Sequence, residues 1–295
     1  MEPVPEGSNR GNQLRGRKVF LGIAVLLLLL SASFAFADYK RIVSLAPSVT
    51  ASLYELGMEN SVAGITVYCP KGTVKKEIIG TLLEPDMEKI VMLNPDLIVS
   101  TKEGNNKAAV EKLSRLGFNV YVMETSENFA EICSNFYNLA KKVGKAAEAA
   151  EIIDKARESV NENLPKIKNA ETKKVFWEVG AKPLYTAGKH SFVNDYNYYT
   201  KTENIYGGLD MRYFSVNMED VLEKNPDIVI LVNMGDISAE ELANWQRYKS
   251  VNAVKNSKVF MLDVNELFTP TPSSFAKGIS IISKTLYPEI FVDKK

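Results

Sequence analysis

Residues 86–99 and residues 217–230 share one pattern without a gap, DMEKIVMLNPDLIV in the first copy and NMEDVLEKNPDIVI in the second. Each copy begins with a good helix N-cap, Asp86 or Asn217, whose side-chain oxygen accepts hydrogen bonds from free amides of the first turn. Apolar residues then recur at helical spacing, and the Asn-Pro pair ends the helix because proline disfavours helical backbone at the preceding residue. An apolar, β-branched run follows, as in a buried parallel strand. The repeat therefore predicts two related lobes that each contain this helix-turn-strand unit.

Strand and helix patterns alternate on both sides of the repeat. Strands are predicted at residues 41–45, 62–67, 97–101, 119–123, 174–179, 228–232 and 258–262. A loop is predicted at residues 183–190, and two helices are expected to be capped by Ser48 or Thr50 and by Ser273 or Ser274. Alternation of this kind favours a parallel sheet with helices on both faces. We therefore predict an α/β protein with two three-layer lobes and parallel central sheets.

A long helical pattern separates the two copies of the repeat. It is rich in Ala, Glu and Lys and is interrupted by one glycine, Gly144. We predict that it forms one long interlobe α-helix over residues 126–166. The N-terminal lobe then spans residues 38–125, and the C-terminal lobe spans residues 167–295.

The first 37 residues resemble an export signal. Basic residues at positions 15, 17 and 18 precede an apolar run at residues 19–30, and Ala35-Phe36-Ala37 offers a small-x-small cleavage site. The apolar run is shorter than the ~18 residues expected of a spanning helix. We therefore predict a signal peptide cleaved after Ala37, with an uncleaved membrane anchor as the alternative. A lipid anchor is not expected, because no cysteine lies near the cleavage site.

The sequence argues against several kinds of active site. It contains no nucleophile elbow, phosphate-binding loop, dinucleotide-binding glycine motif or paired-cysteine metal motif. The single histidine, His190, excludes a site built from several histidines, and we predict neither a metal site nor a cofactor. Cys69 and Cys133 are interpreted as separate thiols, although an oxidising compartment would permit a disulfide. The formal net charge is zero, which gives no indication of nucleic-acid binding.

Two α/β lobes leave a cleft between them, and ligands of such sheets bind outside the carboxyl ends of the strands. The segments that follow the predicted strand ends are residues 47–48, 68–71, 102–105, 182–190 and 266–268. Several of these segments are rich in aromatic and polar groups, as the walls of ligand sites are. The cleft is therefore the predicted binding site.

Four segments carry a resemblance to a known family: residues 41–48, residues 94–99, residues 176–188 and residues 216–227. They are similar to the periplasmic binding proteins of ABC importers for cobalamin and iron-siderophore complexes, and the resemblance extends from residue 41 to about residue 288. It implies a monomer with two α/β lobes, one long bridging helix and little hinge motion. It also implies a periplasmic protein that captures a small metal chelate and delivers it to an inner-membrane permease.

The resemblance gives the repeated glutamates a role. In this family one glutamate on each lobe docks onto arginines of the permease, and Glu88 and Glu219 match those positions. Carboxylates and arginines form charge-assisted, often bidentate pairs. Each glutamate also lies in a first helical turn, where an acid complements the helix dipole whether or not it binds a partner.

The resemblance also implies ligand-binding residues. Tyr68, Tyr185 and Tyr213 match aromatic positions of the vitamin B12-binding members, Phe268 lies in the corresponding C-terminal loop, and Ser48 follows the first strand. Arg212, His190 and Lys102 are expected to meet anionic groups. Two tryptophans of the B12-binding pattern are replaced by Leu82 and by the Thr101-Lys102 region, so Lys102 and Lys71 suggest an anionic iron chelate instead of cobalamin.

Three alternatives remain open. The same fold could hold a bare zinc or manganese ion, for which one histidine is a poor ligand set. A secreted enzyme would need a nucleophile and base that the sequence does not show. A periplasmic sensor or adhesion module would use the same fold with a different partner.

Overall fold

The computed structural model describes residues 38–233 and 239–291. The predicted signal peptide, residues 1–37, lies outside these ranges. The described residues from Asp38 onward form a single compact unit. Among the helices of the described ranges, none combines the length and the apolar character that a membrane crossing requires.

The N-terminal lobe contains a five-stranded, all-parallel sheet in the order β3-β2-β1-β4-β5. Its elements are β1 (Ile42–Ser44), α1 (Pro47–Glu55), β2 (Val62–Ile65), β3 (Glu77–Ile78), α2 (Met87–Leu93), β4 (Leu97–Thr101), α3 (Lys107–Arg115) and β5 (Val120–Met123). The interior strand β4, which pairs with β1 and β5, is buried on both faces except at its last residue, as the apolar run of the first repeat predicts.

Helix α1 begins earlier than expected. Pro47 is its first residue, and Ala46 is the N-cap without a side-chain hydrogen bond. Proline suits this position because the amide that it lacks has no partner within the helix. The prediction that Ser48 or Thr50 caps this helix was therefore wrong, and Ser48 lies inside the first turn.

The predicted single interlobe helix is instead two longer helices and a short one. They are α4 (Phe129–Lys142), α5 (Ala146–Asn161) and α6 (Asn163–Lys166). The break occurs at Gly144, whose φ of 74° is readily adopted only by a residue without a Cβ. Because the chain turns there, α4 and α5 pack against each other and do not form one rod.

The C-terminal lobe contains a four-stranded, all-parallel sheet in the order β12-β11-β6-β9. Its elements are β6 (Lys173–Glu178), β7 (Gly180–Ala181), β8 (Leu184–Ala187), α7 (Val193–Tyr199), β9 (Thr202–Asn204), β10 (Tyr213–Ser215), α8 (Met218–Lys224), β11 (Ile228–Asn233), α9 (Ala239–Trp245), α10 (Asn252–Lys255), β12 (Val259–Asp263), α11 (Val264–Leu267) and α12 (Pro272–Leu286). The series β6-β11-β12 repeats the arrangement of β1-β4-β5.

The C-terminal lobe also contains a small antiparallel sheet in the order β10-β8-β7. Its strand β8 occupies half of the segment that was predicted as a loop, residues 183–190. Its strands have only two to four residues each, too few for a clear alternation of apolar and polar side chains.

The closing helix α12 is capped by Thr271 and not by the predicted Ser273 or Ser274. The side chains of Thr271 and Ser274 form a reciprocal capping box, and Pro272 is the first helical residue. Helix α12 packs on the connecting helices. Near its N-terminus, Phe275 stacks on Phe129 of α4 at 4.7 Å and on Tyr196 of α7 at 4.4 Å between ring centroids.

The two copies of the repeat fold alike. Asp86 accepts a hydrogen bond from the amide of Lys89, and Asn217 accepts one from the amide of Asp220, as predicted for N-caps. Both helices end at an asparagine in the left-handed region, with φ of 42° at Asn94 and 46° at Asn225. Asparagine tolerates this conformation better than most residues, which explains the helix end more directly than the proline that follows.

The aspartate of each Asn-Pro-Asp sequence then connects the repeat by hydrogen bonds to the start of the first strand of its lobe. The Asp96 carboxylate accepts from the backbone amides of Lys40 and Arg41, and the Asp227 carboxylate accepts from the amide of Lys174. Arg41 and Lys174 also accept through their carbonyls from the amides of these two aspartates. The two copies therefore share equivalent tertiary contacts in addition to the fourteen-residue sequence pattern.

Candidate ligand-binding cleft

A cavity of about 940 Å³ lies where the two parallel sheets present their carboxyl ends. Its walls are formed by the segments that follow β1, β4 and β5 in one lobe and β6 and β12 in the other. Ile132, Asn135 and Phe136 of α4 also line it. Its volume is near the upper end of the ~300–1,000 Å³ typical of small-molecule sites. The position of the cavity agrees with the cleft that the strand-end rule predicts.

Six of the eight predicted ligand residues line this cavity: Ser48, Tyr68, Tyr185, Arg212, Tyr213 and Phe268. Tyr68 and Tyr185 are exposed, at 64% and 40%, so their rings are available to a ligand. Phe268 packs in a tilted arrangement on Tyr213 and on Phe192, with ring centroids 6.4 Å and 5.5 Å apart. One wall of the cavity is therefore a continuous aromatic surface.

The other two predicted residues, Lys102 and His190, are not among the residues that line the cavity. The Lys102 ammonium lies 2.8 Å from a carboxylate oxygen of Glu124, which does line it. His190 bridges Glu127 and Asp210, at 2.8 Å from Nδ1 and 2.7 Å from Nε2. These two carboxylates raise the pKa of His190 above its ordinary value, Glu127 more than Asp210. Both predicted cations therefore face carboxylates of this chain, and Lys71 likewise does not line the cavity.

Three acidic residues of the cavity lining were not singled out in the sequence, and only Glu103 lies in one of the segments that were expected to follow strand ends. Glu103 lies in the segment after β4, Glu124 follows β5, and Asp263 ends β12, and all three line the cavity. The resemblance drew attention to cations and aromatic residues, and the acids next to them were missed. Together with Arg212 they are the charged residues of the described cavity lining.

Arg212 is the most constrained polar side chain of the site. Its guanidinium donates to the carbonyls of His190 at 2.6 Å and Ser126 at 2.9 Å, and it lies 5.4 Å from the centre of the Tyr213 ring. Its Nε is 2.7 Å from a carboxylate oxygen of Glu103, across the cleft. That contact is an ion pair without a well-aligned hydrogen bond, because the Nε–H has no properly oriented acceptor within the described residues.

The predicted docking glutamates occupy equivalent places. Glu88 and Glu219 lie in the first turns of α2 and α8, and both are exposed. Each helix leads into a parallel strand, so its N-terminus lies at the carboxyl edge of its own sheet, on the side of the cleft. Within residues 38–233 and 239–291, neither carboxylate has an ion-pair partner of this chain.

Cys69 and Cys133 are both free and buried. Burial raises the pKa of both thiols, that of Cys133 to about 11. The structure thus agrees with separate thiols. In the described ranges, no three or more His, Cys, Asp or Glu side chains are grouped to hold a metal ion. That part of the chain gives no support to a bare zinc or manganese site.

The fold and the cleft define a class of protein: a two-lobed α/β binding protein whose ligand site lies between the carboxyl edges of two parallel sheets. Residues 42–265 match the family described as periplasmic binding protein. The chain belongs to this family.

Its relatives are binding proteins and not enzymes. An ABC transporter substrate-binding lipoprotein of Bacillus subtilis (strain 168) is 25% identical, over 85% of this chain and 81% of the relative. The vitamin B12-binding protein of Vibrio vulnificus (strain CMCP6) is 25% identical, over 85% of this chain and 91% of the relative. A crystal structure described as a possible iron-binding, periplasmic solute-binding protein of Staphylococcus epidermidis ATCC 12228 is 26% identical, with a TM-score of 0.73 over 85% of this chain and 99% of that chain.

Proposed function

We propose that this protein is the substrate-binding component of an ABC importer, and that it captures an iron-siderophore or corrinoid-type metal chelate and delivers it to the permease. The observation that carries the proposal is the 940 Å³ cleft with its aromatic wall. Its family and its named relatives support the same role. Large apolar rings bury much surface and pack well against planar or macrocyclic ligands.

The aromatic residues of the cleft are proposed to contact the ligand directly. Tyr68 and Tyr185 are exposed, so a bound chelate would cover apolar ring surface that otherwise faces water. Tyr213 and Phe268 lie deeper and support each other through their tilted packing. Burial of ring surface of this kind contributes roughly 25 cal/mol per Å².

Direct binding tests the proposal. Purified protein is titrated by calorimetry with cyanocobalamin, ferrichrome, haemin and ferric enterobactin, and protein isolated from its own periplasm is examined by native mass spectrometry and visible absorbance. We expect tight binding of at least one chelate without turnover. Tyr185→Ala should weaken that binding, whereas Tyr198→Ala, which truncates an exposed ring outside the cavity, should not. Absence of binding to every corrinoid, haem and iron chelate would refute the proposal.

We also propose that Glu88 and Glu219 form the permease-docking pair. Their exposure, equivalent positions and lack of partners within the described ranges support this role. The double variant Glu88→Arg with Glu219→Arg should abolish transport and leave chelate affinity unchanged, because it reverses charge only at the docking surface. Glu111→Arg with Asp154→Arg, at exposed positions of α3 and α5, makes the same change of net charge and is the matched control. Normal transport by the double variant would exclude the docking role.

Export is proposed to remove residues 1–37 and to place the mature chain, beginning at Asp38, in the periplasm. The mature protein is proposed to act as a monomer. N-terminal sequencing of the exported protein tests the cleavage site, and analytical ultracentrifugation tests the oligomeric state. An intact N-terminus in a membrane fraction would instead support the uncleaved anchor.

A further inference from the structure

We propose that the cleft selects a chelate without net negative charge, and that Glu103 and Glu124 set this preference. The inference rests on the proposed function, since it describes the ligand of the same cleft. It departs from the expectations that Lys102 and Lys71 suit an anionic iron chelate and that Arg212 meets an anionic group of the ligand.

The charges around the cavity carry the inference. Its lining contains Glu103, Glu124, Asp263 and Arg212. Arg212 is paired with Glu103, and Lys102, just outside the lining, is paired with Glu124. Each of these two cations is therefore already compensated by a carboxylate that faces the cavity, and the acids of the lining outnumber its bases.

Arg212 is not free to turn toward an anionic ligand. Two backbone carbonyls, at Ser126 and His190, hold its guanidinium in place, and the Tyr213 ring lies against it. The side chain is only 20% exposed. An anionic group that approached Arg212 would meet the Glu103 carboxylate at the same guanidinium, and one of the two anions would be left without its counterion.

An uncompensated anion in a partly enclosed site is costly, because low-dielectric walls strengthen charge interactions relative to bulk water. A neutral chelate avoids this cost, since it leaves both ion pairs intact. Amide N–H and hydroxyl groups of the chelate can still donate hydrogen bonds to the carboxylates at the rim. The cleft therefore favours neutral corrinoid or ferric-hydroxamate chemistry over haem propionates or a highly charged ferric catecholate.

The test compares neutral and anionic probes in matched variants. Cyanocobalamin and ferrichrome are the neutral chelates, and haemin and ferric enterobactin are the anionic ones. Glu103→Gln with Glu124→Gln removes the two carboxylates and keeps their shape. Glu111→Gln with Asp154→Asn makes the same change of net charge on exposed helices outside the cavity and is the control. Circular dichroism and urea unfolding confirm that every variant is folded.

The wild type should bind a neutral chelate at least about tenfold more tightly than either anionic one, a difference of ~1.4 kcal/mol. The variant Glu103→Gln with Glu124→Gln, called the cleft variant, should reduce this ratio of affinities by about tenfold. The control variant should leave the ratio unchanged. Equal affinity of the wild type for neutral and anionic chelates, or a gap that both variants alter alike, would overturn the inference.

A pair of dyes keeps the two proposals separate. The anionic dye ANS and the neutral dye Nile red report on the apolar cleft without a natural ligand. If no chelate binds, the proposed function fails, and the charge preference is still judged by whether ANS binding rises in the cleft variant and not in the control. If chelates bind and ANS binding is the same in all three proteins, the charge inference fails and the proposed function stands.

Discussion

The buried carboxyl of Glu178 provides the sharpest test of the electrostatics of this fold. Glu178 ends β6, and its side chain lies on the face opposite Trp177 and Val179, away from the cavity. It is fully buried and accepts a hydrogen bond of 2.8 Å from the indole of Trp245. Burial raises the pKa of Glu178 to about 7, and the Trp245 hydrogen bond opposes that shift only in part.

The sign of the effect on stability follows from proton binding. Between pH 4.5 and about 7 the folded protein holds this proton and the unfolded chain has lost it, so stability falls as the pH rises through that window. A pKa raised from 4.5 to about 7 corresponds to a loss of about 3 kcal/mol, fully developed above pH 7. Glu178→Gln resembles the protonated acid at every pH and should not show the loss.

Urea unfolding followed by tryptophan fluorescence measures this effect at pH 4.5 and pH 8. The free energy of unfolding of Glu178→Gln, relative to that of the wild type, should be about 3 kcal/mol higher at pH 8 than at pH 4.5. Glu151→Gln, at an exposed position of α5, is the control and should follow the wild type. A difference between Glu178→Gln and wild type that is the same at both pH values would refute the argument. Chelate affinity should not change, because Glu178 faces away from the cleft.

Three further outcomes are expected. NMR should show the single histidine, His190, titrating above its ordinary pKa, and Glu127→Gln should lower that pKa. The stabilisation from the charged histidine is present just below its ordinary pKa, while the carboxylates are ionised, and is lost as the pH rises through the raised value. A His190 pKa that Glu127→Gln does not change would contradict this. Phe275→Ala should lower the free energy of unfolding by ~3–5 kcal/mol, since a fully buried ring with two stacked partners is removed; a loss below ~1 kcal/mol by urea unfolding would contradict the packing. Cys69 and Cys133 should react slowly with a thiol reagent at pH 8 in the native state, and two thiols per chain should react after unfolding. Fast reaction of the native protein would contradict the burial of these thiols.

The repeat is the part of the fold that could be read most directly from the sequence. A capping residue, a helical stripe and a following apolar run are local signals, and in both copies the structure uses all three. The predicted strands 97–101 and 228–232 agree closely with β4 and β11. Such features need no knowledge of distant contacts, because the propensity of the segment and the burial of its strand favour the same structure.

Two physical causes explain where the predictions from the sequence differ from the structure. Gly144 was noted as an interruption of a helical pattern, but a pattern does not reveal whether a glycine will adopt a positive φ and turn the chain. The strands of the antiparallel sheet are short, and their pairing depends on residues that are distant in sequence, such as Tyr213 opposite Ala187. Non-local pairing also explains why Glu103 was missed, since its partner Arg212 is brought to it only by the fold.

The proposed docking residues lie in the part of the chain that is repeated, whereas several residues of the proposed ligand site lie outside it. Glu88 and Glu219 belong to the repeat itself and lie at equivalent positions, in the first turns of α2 and α8. The antiparallel sheet has no counterpart among the N-terminal strands, and it carries Tyr185 and Tyr213 into the cleft, with Arg212 immediately before β10. Substitutions there should therefore alter the proposed ligand site without disturbing the proposed docking pair. Under the proposed function, the repeat carries the contacts with the permease, and the cleft residues outside it determine which ligand binds.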